Sequence, residues 1–384
     1  MKQNYFDFII CGAGASGLLL LKAIREDSFF NEKSVLIIEK EIKNVNDRTW
    51  SYWESPNGLF DSILSKKWSK AKFCSKDFEL DFDLSPYQYK MLRSSFFYRD
   101  IQDKYSKLKN TTFLNAEVEN IDSKNMMTKV ITSEGKFESK KVFNSIFDPE
   151  PLINQKKYPV LQQHFVGWFI KTKKPSFDSG KVGFMDFNIS QVQETRFIYV
   201  LPIDKHNALV EYTLFSENLL HFDDYETGIK AYLNSKGISE YEIEEKEHGN
   251  IPMTCFPFEK LNSQSLLHIG TAGGWTKAST GFTFMSTRRN IGRLIPFLKT
   301  GRDLNLFRIK NRFRFYDLLF LDVLTRYTAL GSKLFARMFE KNPPTRILKF
   351  LDEKTNFIEE LKIMISFSFN QQIWFLKAFF KRIF

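Results

Sequence analysis

The segment Gly12-Ala-Gly14-Ala-Ser-Gly17 restricts this chain more than any other part of it. It follows at once on a strand expected over Tyr5–Cys11 and opens a helix that starts Leu18-Leu-Leu-Leu21. A second apolar run, Ser34-Val-Leu-Ile-Ile38, ends in Glu39. Strand, glycine turn, helix, strand and terminal acid, in that order, form a βαβ unit that binds the ADP part of a dinucleotide. Gly12 permits the tight turn, Gly14 lets the backbone approach a pyrophosphate, and Gly17 lets helix and strand pack closely. Ala13, Ala15 and Ser16 complete the turn, whose free N–H groups and helix-end positive charge suit phosphate. Glu39, with Lys40 beside it, stands where ribose hydroxyls are held. An acid there disfavours a 2′-phosphate, so FAD or NAD is expected rather than NADP.

A second glycine-rich segment lies far downstream, Gly270-Thr-Ala-Gly273-Gly274, continuing to Thr280-Gly281. It follows a strand-like run over Ser265–Ile269 and precedes a helix expected over Phe282–Leu294. A plain turn between strand and helix would look the same. With the N-terminal unit, however, it matches the point where flavoproteins of the two-dinucleotide-binding type return to their first domain. There the chain holds the ribityl group and the isoalloxazine edge, which selects FAD. The expected fold is therefore α/β, with a discontinuous Rossmann-like FAD-binding domain at 1–60 and 265–300. A mixed β-sheet substrate domain is expected at 61–264 and a helical region at 301–384. Val160–Ile170, Thr195–Leu201 and Ala208–Phe215 read as strands, and Phe307–Leu330 and Ser332–Lys341 as helices. Asn356 with Glu359 reads as a capping box.

The chain carries 56 Lys and Arg against 45 Asp and Glu, an excess that suits nucleic acid, an anionic membrane surface or a phosphorylated cofactor. No basic run with interleaved aromatics is present, so no nucleic acid is expected, and membrane surface plus dinucleotide is the reading. Cys11, Cys74 and Cys255 form no CxxC pair, and His164, His221, His248 and His268 have no ligand spacing, so no metal is expected. Asp186 and His206 read as structural. The N-terminus runs straight into a strand and no apolar run reaches the ~18 residues of a spanning helix. A cytoplasmic protein lying peripherally on the inner face of the membrane is expected. Residues 361–384 mix Ile, Phe and Trp with Lys377, Lys381 and Arg382, interrupted by Asn370-Gln-Gln372. They read either as an interfacial, membrane-docking helix or as a helix packed on its own core.

Several further runs stand in a definite order. They are Asp47-Arg-Thr-Trp-Ser-Tyr-Trp53, Phe197–Pro202, Leu209-Val-Glu211-Tyr-Thr213, Gly249-Asn-Ile-Pro252-Met-Thr254 and Met338-Phe-Glu-Lys-Asn-Pro343. With Gly270–Gly274 they resemble the bacterial lycopene β-cyclases, from Tyr5 to at least Leu361. Asp-Arg-Thr-Trp-Ser is the specific element; the glycine-rich segments are shared by many flavoproteins. The resemblance implies a redox-neutral isomerisation that uses reduced FAD, with NAD(P)H as electron donor. An acid protonates the ψ-end of lycopene, the cation closes a ring, and a proton is lost, giving γ-carotene and then β-carotene. It implies that Glu211, matching the family's Glu-x-Thr, is the acid. It also implies that Asp47 and Arg48 lie near the flavin, Arg48 holding its anionic reduced form and Asp47 orienting it.

The chemistry of the residues agrees. A hydrocarbon offers no polar handle, and 41 Phe supply apolar and aromatic surface. Cations are stabilised by aromatic faces, for which Trp50, Tyr52 and Trp53 are candidates, although Trp50 and Trp53 read equally as core. An acid that protonates an alkene has to stay neutral until used, which requires desolvation. Glu211 sits in the apolar run Ala208–Phe215, where strict alternation would instead leave it exposed. Asp47 and Arg48, likewise, read without the resemblance as a loop ion pair. The competing readings are a FAD-dependent monooxygenase or reductase acting on an isoprenoid, and a non-catalytic flavin- or carotenoid-binding protein. The first usually carries Gly-Asp where Gly270-Thr271 stands here, and an Asp-Gly pair that Asn144–Asp148 does not supply. The second would not need Glu211.

Overall fold

A computed structural model of the chain describes residues 4–123 and 126–383. Residues 1–3 of the expected FAD domain and Phe384 of the expected docking segment lie outside the described residues. The N-terminal fingerprint forms the middle of a five-stranded parallel sheet. Its order is Leu266–His268, Val142–Asn144, Phe8–Cys11, Val35–Glu39, Thr111–Asn115. Phe8–Cys11 is buried throughout, as a central parallel strand covered on both faces must be. Helices Ala15–Arg25, Ser94–Tyr105 and Phe284–Lys299 contribute to one apolar cluster against it. A three-stranded antiparallel sheet (Val118–Asp122, Thr128–Thr132, Gly135–Ser139) covers Ile9, Cys11, Leu36 and Ile38 on the other face.

The late strand thus returns to the first sheet, as the second glycine-rich segment requires. The boundary at residue 60 does not hold. Thr111–Asn115 and Val142–Asn144 belong to the nucleotide sheet, so 61–264 is not one substrate domain. Parallel strands need long crossovers, and those crossovers carry the chain away and back several times before the sheet is complete.

A seven-stranded sheet forms the second layer, in the order Tyr241–Thr254, Val160–Thr172, Asn207–Ser216, Thr195–Pro202, Lys181–Asp186, Lys70–Ser75, Phe78–Asp83. All its pairs are antiparallel except Lys181–Asp186 with Lys70–Ser75, so it is mixed as expected. Helix Phe222–Ser235 covers one face. On the other lies a large aromatic core shared with the C-terminal helices. Between the layers sits a small sheet of Thr49–Glu54, Gln88–Arg93 and Lys66–Trp68.

The C-terminal region is helical: Phe313–Arg326, Gly331–Lys341, Pro344–Leu351, Phe357–Ser366 and Phe369–Ile383. The first begins later than the expected Phe307, behind a short 3-10 turn at Leu304–Leu306. The capping box forms: Asn356 Oδ1 accepts from Glu359 N at 3.0 Å, and Glu359 Oε2 accepts from Asn356 N at 2.9 Å. Asn370–Gln372 do not interrupt a helix; they begin one. Gln371 Oε1 reaches back to accept from Ser368 N at 2.9 Å, and the break falls at Phe367-Ser368. Ile363, Phe367 and Ala378 pack into the core, whereas Leu361, Ile365, Leu376 and Phe380 stay exposed. The segment thus packs on the core through some apolar side chains and leaves others exposed. Of its cations Lys377 is exposed, but Lys381 and Arg382 are tied to Asp322. Among the described residues no helix is long and apolar enough to cross a membrane.

Candidate active site

A cleft of about 460 Å³ brings the separated motifs together. Its wall takes Gly14–Ser16 from the fingerprint, Asp47–Trp53 from the small sheet and the loop before it, and Tyr199, Leu209 and Glu211 from the mixed sheet. Thr271, Lys277 and Gly281–Ser286 of the late segment close it.

The nucleotide end is shaped by glycines. Gly12 adopts φ +94°, and a Cβ at Gly17 would lie 2.0 Å from the Gly12 carbonyl oxygen, so helix and strand meet only without a side chain there. Gly14 caps the fingerprint helix without a side-chain hydrogen bond, and nothing lies within 4 Å of a Cβ placed on it. The helix therefore presents free N–H groups to open space. Glu39 Oε2 accepts from Ala13 N at 2.7 Å and pins the turn; Lys40 is exposed away from the cleft. Gly270 lies against Ser16, joining the late segment to the fingerprint. Gly273 and Gly274 line an adjoining pocket that shares Lys277, Ser286 and Arg289 with the cleft, and Thr280 lines an apolar cavity among the C-terminal helices. Gln163 Oε1 is buried without a partner beside Gly281, on the cleft wall. An uncapped helix end and an orphaned polar atom along one elongated cleft fit a dinucleotide such as FAD.

The expected Asp47–Arg48 ion pair is not formed. Asp47 accepts from Lys43 Nζ and Tyr98 OH, both at 2.8 Å, while Arg48 NH1 donates to the Asp47 backbone oxygen at 2.8 Å. Lys43 is the nearer cation because it approaches from the preceding loop. Trp50 and Tyr52 stack on Phe284 at 5.3 and 5.1 Å. Trp53 donates to the Leu348 carbonyl at 3.2 Å. All three aromatics line the cleft and also pack into the core, so the two readings of them are not exclusive.

Glu211 does not point to solvent. It is half-buried, with its open side on the cleft, and its Oε1 accepts from Thr213 Oγ1 at 2.6 Å. Burial pushes its carboxyl up to about 8, and the charge of Glu247 adds to the effect against the Thr213 hydrogen bond. The register explains that coupling. Tyr199, Glu211, Gly167 and Glu247 oppose one another across four strands and form one row on one face. Gly167 has no side chain to separate the acids; a Cβ there would lie 3.2 Å from Glu247 Cγ. Glu247 is itself buried, accepts from Thr49 Oγ1 at 2.6 Å, and is raised to about 7 by desolvation. Thr49 belongs to the Asp47–Trp53 run, so that motif reaches the acid pair through one hydroxyl. Sequence reasoning missed Glu247, whose run Tyr241-Glu-Ile-Glu-Glu-Lys-Glu247 reads as a solvated strand.

Residues 7–374 match the family described as Lycopene cyclase protein. The chain belongs to the lycopene cyclase family. Among relatives, it is similar to the lycopene beta cyclase, chloroplastic, of Solanum lycopersicum, at 24% identity over 305 residues. That match covers 74% of this chain and 59% of the plant protein, so the chain spans under two thirds of its relative's length. Among solved structures it is similar to a flavoprotein/dehydrogenase from Cytophaga hutchinsonii, with TM-score 0.65, 13% identity and 99% of each chain covered. It is also similar to a halogenase, PltM, in complex with phloroglucinol and FAD, with TM-score 0.54 and 13% identity over 90% of this chain and 79% of the other. These structural likenesses establish the α/β fold.

The other polar groups singled out in this lycopene cyclase family member lie off the cleft and have their own partners. Asp186 accepts from Tyr232 OH at 2.9 Å and from Asn188 N, and pairs with Lys236. His206 bonds the Thr172 carbonyl at 2.9 Å. His164 is held between Ser216 Oγ at 2.7 Å and Tyr225 OH at 2.6 Å.

Proposed function

We propose that the chain is a lycopene β-cyclase that converts the ψ-ends of lycopene to β-rings, through γ-carotene to β-carotene, with Glu211 as the acid. One observation carries the reading: a carboxyl group, raised in pKa by burial, on the wall of an aromatic cleft that also contains the dinucleotide turn. Glu211 gives its proton to the terminal double bond of the ψ-end. The neighbouring double bond attacks the resulting cation and forms the ring bond. A ring proton then leaves, and the carboxylate of Glu211 is the base positioned to accept it. Atoms and electrons balance within the substrate, so the acid ends as it began. Trp50, Tyr199 and Tyr89 line the cleft and supply aromatic surface for the cation. Burial lifts the Tyr89 and Tyr199 hydroxyls far above their ordinary range, so neither rivals Glu211 as the proton donor.

FAD is the proposed cofactor, with Gly12–Gly17 and Glu39 holding its ADP part, Arg48 and Asp47 near the ring, and Gly270 and Gly281 closing the far side. When bound and reduced, by NAD(P)H on this reading, it supplies negative charge beside the cation. The proposed nucleotide-binding unit includes residues 94–147 as well as the fingerprint and 265–300. The exposed apolar edge of residues 357–383 is proposed to rest on the membrane that dissolves the substrate.

The decisive assay is anaerobic: purified protein, reduced FAD and lycopene in liposomes. Cyclised products without stoichiometric NAD(P)H consumption are expected. Oxygen-dependent NAD(P)H oxidation without ring closure would overturn the reading in favour of a monooxygenase.

A further inference from the structure

The C-terminal helices enclose a second cavity of 340 Å³. Phe320, Phe335, Met338, Phe350, Ile363 and Phe375 make its wall almost wholly apolar. Its outer rim carries Met364, Ile365 and Leu376, the last two 62% and 54% exposed. They belong to the same exposed edge as Phe369 and Phe380. At its inner end it reaches Ser279 and Thr280 of the late glycine-rich loop. There it also meets Leu351, a residue that lines the Glu211 cleft as well. A single leucine therefore belongs to the walls of both spaces. Protein cores leave few voids larger than a water molecule, and an apolar space of this size forgoes packing contacts that an apolar occupant would restore.

The geometry points to this cavity as a subsite for hydrocarbon chain. We propose that it holds the unreacted half of the extended polyene while the other end lies beside Glu211, its exposed rim being the mouth through which the chain enters from lipid. The inference rests on the carotenoid reading of the cleft. A cleft of 460 Å³ suits a drug-sized ligand and has also to admit a flavin ring, so a forty-carbon chain needs a second space. Apart from Thr280, whose hydroxyl is buried without a partner at the inner end, the wall asks for no hydrogen bonds that a polyene lacks. The rim is apolar where an aqueous ligand would require polar groups. Leu351 is the shared wall that a chain passing between the two spaces would have to displace.

The test fills the cavity and reads binding separately from turnover. Met338→Trp occupies it from the Gly331–Lys341 helix, and Ile363→Phe, a smaller change, serves if the tryptophan prevents folding. Lycopene presented in detergent micelles should bind the filled variant about tenfold more weakly. A ψ-ended polyene of half the length should bind within about twofold of the unsubstituted protein, and FAD absorbance should not change. Equal loss for both chain lengths, or no loss for either, overturns the proposal. Absence of any lycopene binding by the unsubstituted protein does so too. Unchanged lycopene binding with lost liposome binding would make the cavity a lipid acyl-chain anchor only, which also overturns it. Cavity-dependent lycopene binding without ring closure would instead refute the cyclase reading and leave the subsite standing.

Discussion

The two faces of the seven-stranded sheet each bury titratable groups, and they treat them in opposite ways. Under helix Phe222–Ser235, His164 has both ring nitrogens occupied, by Ser216 and Tyr225. Burial lowers it to about 4, so it is a neutral, saturated group. On the cleft face, Glu211 has one protein donor, Thr213, and open space before the rest of its carboxyl. Burial raises it to about 8 with a second acid nearby. Desolvation acts on both. The difference is spare hydrogen-bonding capacity: a saturated group holds the fold, and an unsaturated one that faces a cavity is free to act on a ligand.

The largest test of this contrast is Glu211→Gln. It keeps the Thr213 contact but has no proton of the right acidity, and general acid catalysis contributes typically ~10²–10⁴-fold. Lycopene turnover should fall by that order with flavin binding intact, measured by product analysis and flavin absorbance; full activity removes Glu211 as the acid. On the opposite face, His164→Phe should leave turnover per folded molecule unchanged while costing about 1–3 kcal/mol in denaturant unfolding, since two buried hydroxyls each lose one of their partners. Here the pH dependence has a definite sign. The folded pKa of about 4 lies below the ordinary 6.5, so the unfolded chain takes up the proton first as pH falls. The wild-type contribution is complete above about 6.5 and is lost toward 4, and the gap between variant and wild type should narrow over that window. A constant gap would mean that the imidazole titrates in the folded state as it does in water.

The smallest expected effect concerns Glu247→Gln. Above about pH 7 the wild-type carboxylate at this position helps keep Glu211 protonated. Without it the alkaline fall in rate should begin at lower pH, with roughly a severalfold loss at pH 8 and little change at pH 6. An unchanged pH–rate profile would show that the two acids are not coupled.

Much of the nucleotide half was legible because its signal is local. Within thirty residues the strand, turn, helix and acid are each dictated by backbone geometry. Glu211 stood out only through the Glu-x-Thr resemblance, since an acid in an alternating strand has two faces to choose from. Glu247 was not legible. It is one of four glutamates between Glu242 and Glu247, and only the register against Val160–Thr172, with an irregularity at Phe169-Ile170, decides which of them lies opposite Gly167. Register is a tertiary property. The short strands Thr111–Asn115 and Val142–Asn144 were missed for a related reason. A three- or five-residue parallel strand has no periodicity of its own, and its neighbours lie about 75 residues or more away in sequence.

The edge position of Leu266–His268 bears on how the molecule is made. The sheet begun by Phe8–Cys11 grows outward to Val142–Asn144 and is finished only when Leu266–His268 arrives. At ordinary ribosomal speeds the nascent chain carries Val142–Asn144 as a bare strand edge for about 6–25 s before its neighbour emerges. Over that interval the fingerprint turn exists but the late glycine-rich loop does not, so tight retention of the nucleotide would have to wait until Gly270–Gly281 has been made. The unfinished edge is the place where a chaperone would be expected to bind.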